Sequence, residues 1–160
     1  MAIRQSRESR ACDCERLMIE FVYDDGGRAA AGYRGHTGDC VCRAIAIATE
    51  RPYQQVYDDL NALGARERKS AKRRGKSSAR TGVYKPTIRR YLDSLGWQWH
   101  PTMSIGTGTR VHLRADELPS GRIIVQLSRH NAAVIDGVLH DLFDCSREGT
   151  RAVYGYWSKD

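Results

Sequence analysis

Residues 122–141, RIIVQLSRHNAAVIDGVLHD, decide the fold of this chain. Two apolar runs, 122–128 and 131–135, have the composition of buried β-strands. Asp136-Gly137 is a strong signal for a two-residue hairpin turn that leads into a third strand at 138–143. Outside this stretch, further strand-like segments are predicted at 17–23, 97–102, 110–113 and 152–157. Strands therefore dominate the second half of the chain.

Helical patterns lie between the first strand-like segment and the others. The apolar run 40–49 predicts a short helix that is buried on most sides. A second helix is predicted at 53–63 with Gly64 at its end, and a third at 86–95 with Pro86 in its first turn. Because helices come first and most strands second, we predict an α+β fold.

Length and composition predict one domain with a tail. The chain has 160 residues, 41% of them hydrophobic, which is enough for a single core over 17–160. Residues 1–16 are polar and are expected to form a flexible tail without a secretory signal. No segment has the length and hydropathy of a membrane span. Five cysteines, an odd number, argue against a disulfide framework, so we expect reduced thiols and a cytoplasmic setting.

The positive charge is concentrated in one segment, 66–80. It contains eight basic residues and one acid, Glu67, so its charge equals the formal net charge of +7 of the whole chain. The basic residues are Arg66, Arg68, Lys69, Lys72, Arg73, Arg74, Lys76 and Arg80. Without an apolar stripe, the segment is expected to be a mobile insertion that binds an acidic partner or nucleic acid.

Cys40 has the position of a catalytic nucleophile. A thiol attacks well near neutral pH only as thiolate, and a helix N-terminus lowers its pKa. Cys40 begins the first predicted helix, directly after Gly38-Asp39. Cys42 lies about 200° further around that helix, so we expect it to pack as a small apolar side chain.

The base is predicted from strand position. The chain has five histidines: His36, His100, His112, His130 and His140. His130 lies at the start of a strand, and a two-residue turn after it would bring Asp141 beside its ring as the orienting acid. A three-residue loop would place Asp144 there instead. Gln126 and Ser128 are expected to share the face of His130 and to line the site.

These residues carry a resemblance. The block Gly38-Asp39-Cys40-x-x-Arg43-Ala44, followed downstream by His130 and a strand-borne acid, resembles the papain-like superfamily. That superfamily includes ovarian-tumour-type deubiquitinases and bacterial or phage cysteine peptidases. The resemblance implies an N-terminal helix bundle whose nucleophile helix packs on a twisted antiparallel sheet. It also implies a peptidase or isopeptidase that acts on protein or peptide substrates through a thioester, without metal or cofactor.

The resemblance implies an oxyanion hole formed by the backbone N–H of Cys40 and an upstream donor. Papain-like peptidases have a glutamine six residues before the nucleophile, where this chain has Arg34. His36 and Thr37 are the candidate substitutes.

Two other functions remain open from the sequence. The basic segment and the missing glutamine are also typical of a nucleic-acid-associated binding module on a degenerate scaffold. The pairs Cys12/Cys14 and Cys40/Cys42, with His36, would suit a zinc-binding interaction protein, although one residue between paired cysteines is short for structural zinc. The oligomeric state is left open.

Overall fold

The computed structural model describes residues 18–73 and 75–160. Strand β1 (Glu20–Tyr23) precedes helices α1 (Cys40–Thr49), α2 (Tyr53–Ala65) and α3 (Lys85–Ser94). The strands that follow are β2 (Gln98–Pro101), β3 (Arg122–Leu127), β4 (His130–Ile135), β5 (Val138–Asp141) and β6 (Gly155–Ser158). The α+β prediction is confirmed. The predicted tail, 1–16, and the first residue of the strand predicted at 17–23 lie outside the described residues.

The six strands form one mixed sheet in the order β1-β5-β4-β3-β6-β2. Its neighbours pair antiparallel except β1, which lies parallel to β5. The fully antiparallel sheet implied by the resemblance is therefore corrected at this edge. The physical reason is that β1 reaches β5 through a long connection, so no hairpin forces the two strands to run in opposite directions.

The β4–β5 hairpin follows the predicted register. Ile135 pairs with Val138, which leaves Asp136-Gly137 as a two-residue turn. Both turn residues have positive φ, 48° and 77°, as a type I′ turn requires.

The predicted strand at 110–113 is wrong. His112 forms one isolated bridge, to Ala152, because the N–H of Arg114 bonds back to the His112 carbonyl and turns the chain away. The last strand accordingly starts later than predicted, at Gly155.

Helix α1 occupies the centre of the molecule. Residues 41–48 are all buried, as the apolar run predicts, and they pack against β3, β4 and α2. A second core covers the other face of the sheet and includes Ile123, Val125, Leu127, Val134 and Leu139. Arg43 is the one charged residue inside α1, and it is buried with its apolar neighbours. The N-terminal end of α1 is thereby fixed against the sheet.

The end of the basic segment is anchored to the helices. The Glu67 carboxylate accepts hydrogen bonds from the N–H and hydroxyl of Ser77 and from the hydroxyl of Thr87. Ala79 is buried and donates its N–H to Asn61. Gly64 leaves the space in which the Ser77 carbonyl approaches α2. These contacts hold residues 75–80 beside α2 and α3, while the mobility of 66–80 as a whole stays a prediction.

Within the described part of the chain, no helix combines the length and the apolar character needed to cross a membrane.

Candidate active site

Cys40 is the first residue of α1, and its thiol contacts β4. The sulfur lies beside the His130 ring and the backbone N–H of Asn131, the two groups placed to hydrogen-bond to it. Burial alone would raise the pKa of the Cys40 thiol, but these bonds and the charges of His130 and Arg43 outweigh it and lower the pKa below its ordinary value. The half-buried sulfur therefore loses its proton more readily than an ordinary cysteine thiol.

His130 begins β4, and its ring is held from the opposite side by Asp141. Its Nε2 lies 2.5 Å from Asp141 Oδ2, so Nδ1 is the ring nitrogen that does not bond to Asp141. Burial opposes a charge on the ring, yet hydrogen bonds that the protonated ring donates to Asp141, Cys145 and Cys40 raise the pKa of His130 to about 11. The ring is therefore favoured as an imidazolium. The ring of Phe143 lies 5.7 Å from it, centroid to centroid.

Asp141 ends β5 in the place that the two-residue turn predicts. Although its burial opposes ionisation, hydrogen bonds from His130, the Leu142 N–H and Arg43 lower the pKa of Asp141. Asp144, the alternative acid, is exposed and accepts the backbone N–H of Ser146 instead. The structure therefore brings Asp141, and not Asp144, to His130.

Arg43 joins the helix to the acid, a role that the sequence reasoning missed. Its Nη1 donates to Asp141 Oδ1 at 2.7 Å, and its Nε donates to Asp39 Oδ1 at 3.0 Å. Asp39 is fully buried and also accepts the Tyr53 hydroxyl at 2.7 Å, with Arg28 Nε at 3.5 Å. The signal in the sequence was the spacing of Asp39 and Arg43, four residues apart on one helix face.

Cys42 differs from Cys40 in its burial and in the direction of its pKa shift. It is fully buried in the helix-side core, and its thiol donates to the Tyr53 carbonyl at 3.8 Å. Burial and the negative charge of Asp39 raise the pKa of Cys42 to about 12. The prediction that Cys42 packs as an apolar side chain is confirmed.

Cys145 is a second residue that the sequence reasoning missed. It is buried against His130, and the ligand atoms of His130, Asp141 and Cys145 lie within 4.8 Å of one another. Among the described residues this is the one cluster with metal-ligand spacing. The Asp141 oxygens are already bound by His130, Arg43 and the Leu142 N–H, so the cluster is satisfied as an ion-pair network.

The zinc set considered from spacing is not brought together. Cys40 contacts His130, whereas Cys42 contacts Tyr53 on another side of α1. His36 is exposed on a different cavity, and Cys12 and Cys14 lie outside the described residues.

A cavity of about 500 Å³ opens beside the thiol. Its wall includes Cys40, Gln126, Ser128, His130 and Asn131. The expectation that Gln126 shares the face of His130 is wrong, because the register pairs His130 with Leu127 and Asn131 with Gln126. Gln126 and Ser128 still border the cavity, since it lies at the end of the β3–β4 hairpin.

The predicted upstream oxyanion donors lie elsewhere. His36 and Arg34 are exposed and border a separate cavity. The hydroxyl of Thr37 is buried without a partner among the described residues, and Thr37 does not line the cavity of Cys40. The neutral amides of Gln126 and Asn131 do line it.

No family model, curated protein or solved structure matches this chain.

Proposed function

We propose that the chain is a cysteine hydrolase, a peptidase or isopeptidase of papain-like type. Cys40 is the nucleophile, His130 the general acid and base, and Asp141 the residue that orients the imidazole. The observation that carries the proposal is the continuous contact from the Cys40 sulfur through the His130 ring to Asp141, at the N-terminus of a buried helix. Nucleophile, base and orienting group in mutual hydrogen-bond reach are the signature of covalent catalysis.

The proposed reaction starts from an ion pair of the Cys40 thiolate and the His130 imidazolium. The Cys40 thiolate attacks the carbonyl carbon of the scissile amide, and the electrons of the C=O bond move to the oxygen. The C=O bond then re-forms as the C–N bond breaks and His130 gives its Nδ1 proton to the leaving amine, which leaves the acyl group on sulfur as a thioester. Water then attacks the thioester while His130 accepts its proton, and the acid product leaves as the thiolate re-forms.

The oxyanion needs two donors in place of the absent upstream glutamine. The backbone N–H of Cys40 is one, because the first-turn N–H groups of a helix have no partner within the helix. We assign the side-chain amide of Gln126 as the second, since it is a neutral donor on the wall of the same cavity.

Thiol labelling tests the nucleophile. With iodoacetamide near pH 6, Cys40 should be alkylated about tenfold or more faster than the other thiols, because its surroundings lower the pKa of its thiol. Cys42→Ala is the matched control and should leave the labelling unchanged, while Cys40→Ala should abolish it. Mass spectrometry of the labelled chain identifies which cysteine is alkylated. Alkylation of Cys12 or Cys42 in place of Cys40 would refute the assignment.

A second candidate function is nucleic-acid binding by the basic segment. The observation in its favour is that residues 66–80 carry the whole net charge of the chain. Reversing Lys69 and Lys72, which are exposed, should then abolish salt-sensitive binding of DNA or RNA without changing Cys40 labelling. No salt-sensitive binding by the unmodified chain would eliminate this candidate.

A further inference from the structure

A second and larger cavity, of about 770 Å³, adjoins the candidate active site. It shares part of its wall with the cavity of Cys40, namely Lys85, Gln126 and Tyr154. The two cavities therefore lie side by side. Together they extend from the thiol across β3, β6 and β2, and we call them the groove.

The far part of the groove is apolar. Its large apolar side chains are Trp99, Met103, Ile105 and Trp157. The rings of Trp99 and Trp157 lie 4.4 Å apart, centroid to centroid, and form the floor. Ile105 stands fully exposed on the loop that follows β2. A concave site with an aromatic floor and an apolar rim is suited to one large apolar side chain.

The charged side chains of the described residues that border the groove are all basic. Lys85, Arg89 and Arg129 are exposed and border it, and no acidic side chain of the described residues does. Arg89 lies 3.9 Å from Asp93, but that exposed pair is weak and leaves its charge available. Thr81 and Gly82, which directly follow the basic segment, border the thiol cavity as well. The basic side chains along the groove therefore favour an acidic ligand.

The number of strands between His130 and Trp99 sets the distance between the thiol and the apolar part of the groove. β4 bears His130, and β3 and β6 separate it from β2, which bears Trp99. At the usual separation of strands this is about 14 Å, the length of about four residues of extended chain.

We propose that the groove binds an acidic peptide segment with one large apolar side chain about four residues from the attacked carbonyl. This rests on the proposed hydrolase function, and it adds the substrate class. The carboxylates lie along Lys85, Arg89 and Arg129, and the apolar side chain fills the Trp99–Trp157 pocket.

Binding to the Cys40→Ala variant tests this without requiring turnover. The probe is a fluorescein-labelled peptide rich in Asp and Glu, with leucine four residues from a central glycine. One matched peptide has lysine at every acidic position, and another has alanine in place of leucine. The acidic leucine peptide should bind at least about tenfold more tightly than the lysine peptide, and more tightly than the alanine peptide. It should also shift the tryptophan emission.

Charge reversal on α3 locates the contact. Lys85→Glu and Arg89→Glu should each weaken binding of the acidic peptide by about fivefold to tenfold, since each replaces an attraction by a repulsion. Arg90→Glu is the matched control, because Arg90 is exposed on the same helix and does not border the groove. It should change binding by less than about twofold.

The outcomes separate the two proposals. Equal binding of acidic and lysine peptides, or equal losses for Arg89→Glu and Arg90→Glu, would overturn the substrate class while leaving the hydrolase assignment intact. A DNA oligonucleotide that competes with the peptide and shows the same dependence on Lys85 and Arg89 would also overturn it. Tight acidic-peptide binding without preferential Cys40 alkylation would support the groove and refute the hydrolase.

Discussion

Replacing Arg43 by methionine tests the network that holds the candidate acid in place. The guanidinium contacts Asp39 and Asp141, which are 0% and 2% exposed. Methionine keeps much of the length of the side chain and removes its charge and donors. Two buried carboxylates then lose a common partner.

The size of the effect depends on which partners each carboxylate retains after Arg43 is replaced. Removing one partner of a buried ion pair costs about 3–5 kcal/mol. Asp39 retains the Tyr53 hydroxyl and Arg28, and Asp141 retains His130. We therefore expect a loss of about 4 kcal/mol in the free energy of unfolding, rather than twice the cost of a single broken pair. With a urea m-value of about 2 kcal/mol/M, the unfolding midpoint falls by about 2 M.

Urea unfolding monitored by tryptophan fluorescence measures this loss, because Trp97 and Trp157 are buried. Arg90→Met is the matched control on an exposed helix face and should change stability by less than about 0.5 kcal/mol. Adding Asp39→Asn to Arg43→Met should restore part of the loss, since it neutralises a stranded charge. A loss below about 1 kcal/mol for Arg43→Met, or no recovery in the double variant, would refute the reasoning.

The remaining predictions concern the site. Asp141→Asn should slow Cys40 alkylation at pH 6 by about tenfold or more, because the imidazolium loses its partner, while Asp144→Asn should leave the rate unchanged. Gln126→Met should lower kcat for peptide hydrolysis by about 100-fold with little change in KM, and an unchanged kcat would remove Gln126 from the oxyanion hole. Because the pKa of Asp141 is lowered in the folded chain, its contribution to stability is present above the unfolded value of about 3.9 and is lost as the pH falls below it. Urea titrations from pH 6 to about 3 should therefore show a steeper loss for the unmodified chain than for Asp141→Asn.

Local signals account for the parts of the fold that the sequence predicts. The Asp136-Gly137 turn requires only the φ preferences of two residues, and it fixes the register that places Asp141 beside β4. The run 40–49 forms the expected buried helix because its apolar residues suit contact on all sides. The separation of Cys40 from Cys42 likewise needs only the helical rotation per residue.

The parts that the sequence does not predict depend on contacts between distant residues. Arg43 bonds to Asp141, 98 positions away, and composition gives no indication of that partner. The parallel pairing of β1 with β5 joins strands that no turn connects. Cys145 reaches His130 from the chain beyond β5, where no periodic pattern guides its placement. The face of Gln126 differs from the predicted one because the turn at 128–129 pairs Leu127 with His130.

The block Gly38-Asp39-Cys40-x-x-Arg43 couples the position of Cys40 to that of Asp141. Asp39, the N-cap residue of α1, accepts a hydrogen bond from Arg43 Nε, and Arg43 Nη1 donates to Asp141 on β5. Asp141 bonds to His130, and His130 contacts Cys40. This series of contacts therefore starts at Arg43 and returns to α1 within one helical turn, at Cys40. Because the nucleophile and the cation that fixes the acid belong to the same rigid helix, a shift of α1 moves both. Loss of Arg43 should therefore raise the pKa of the Cys40 thiol as well as destabilise the fold. A loss of stability with unchanged thiol reactivity would show that Arg43 stabilises the fold without acting on the thiol.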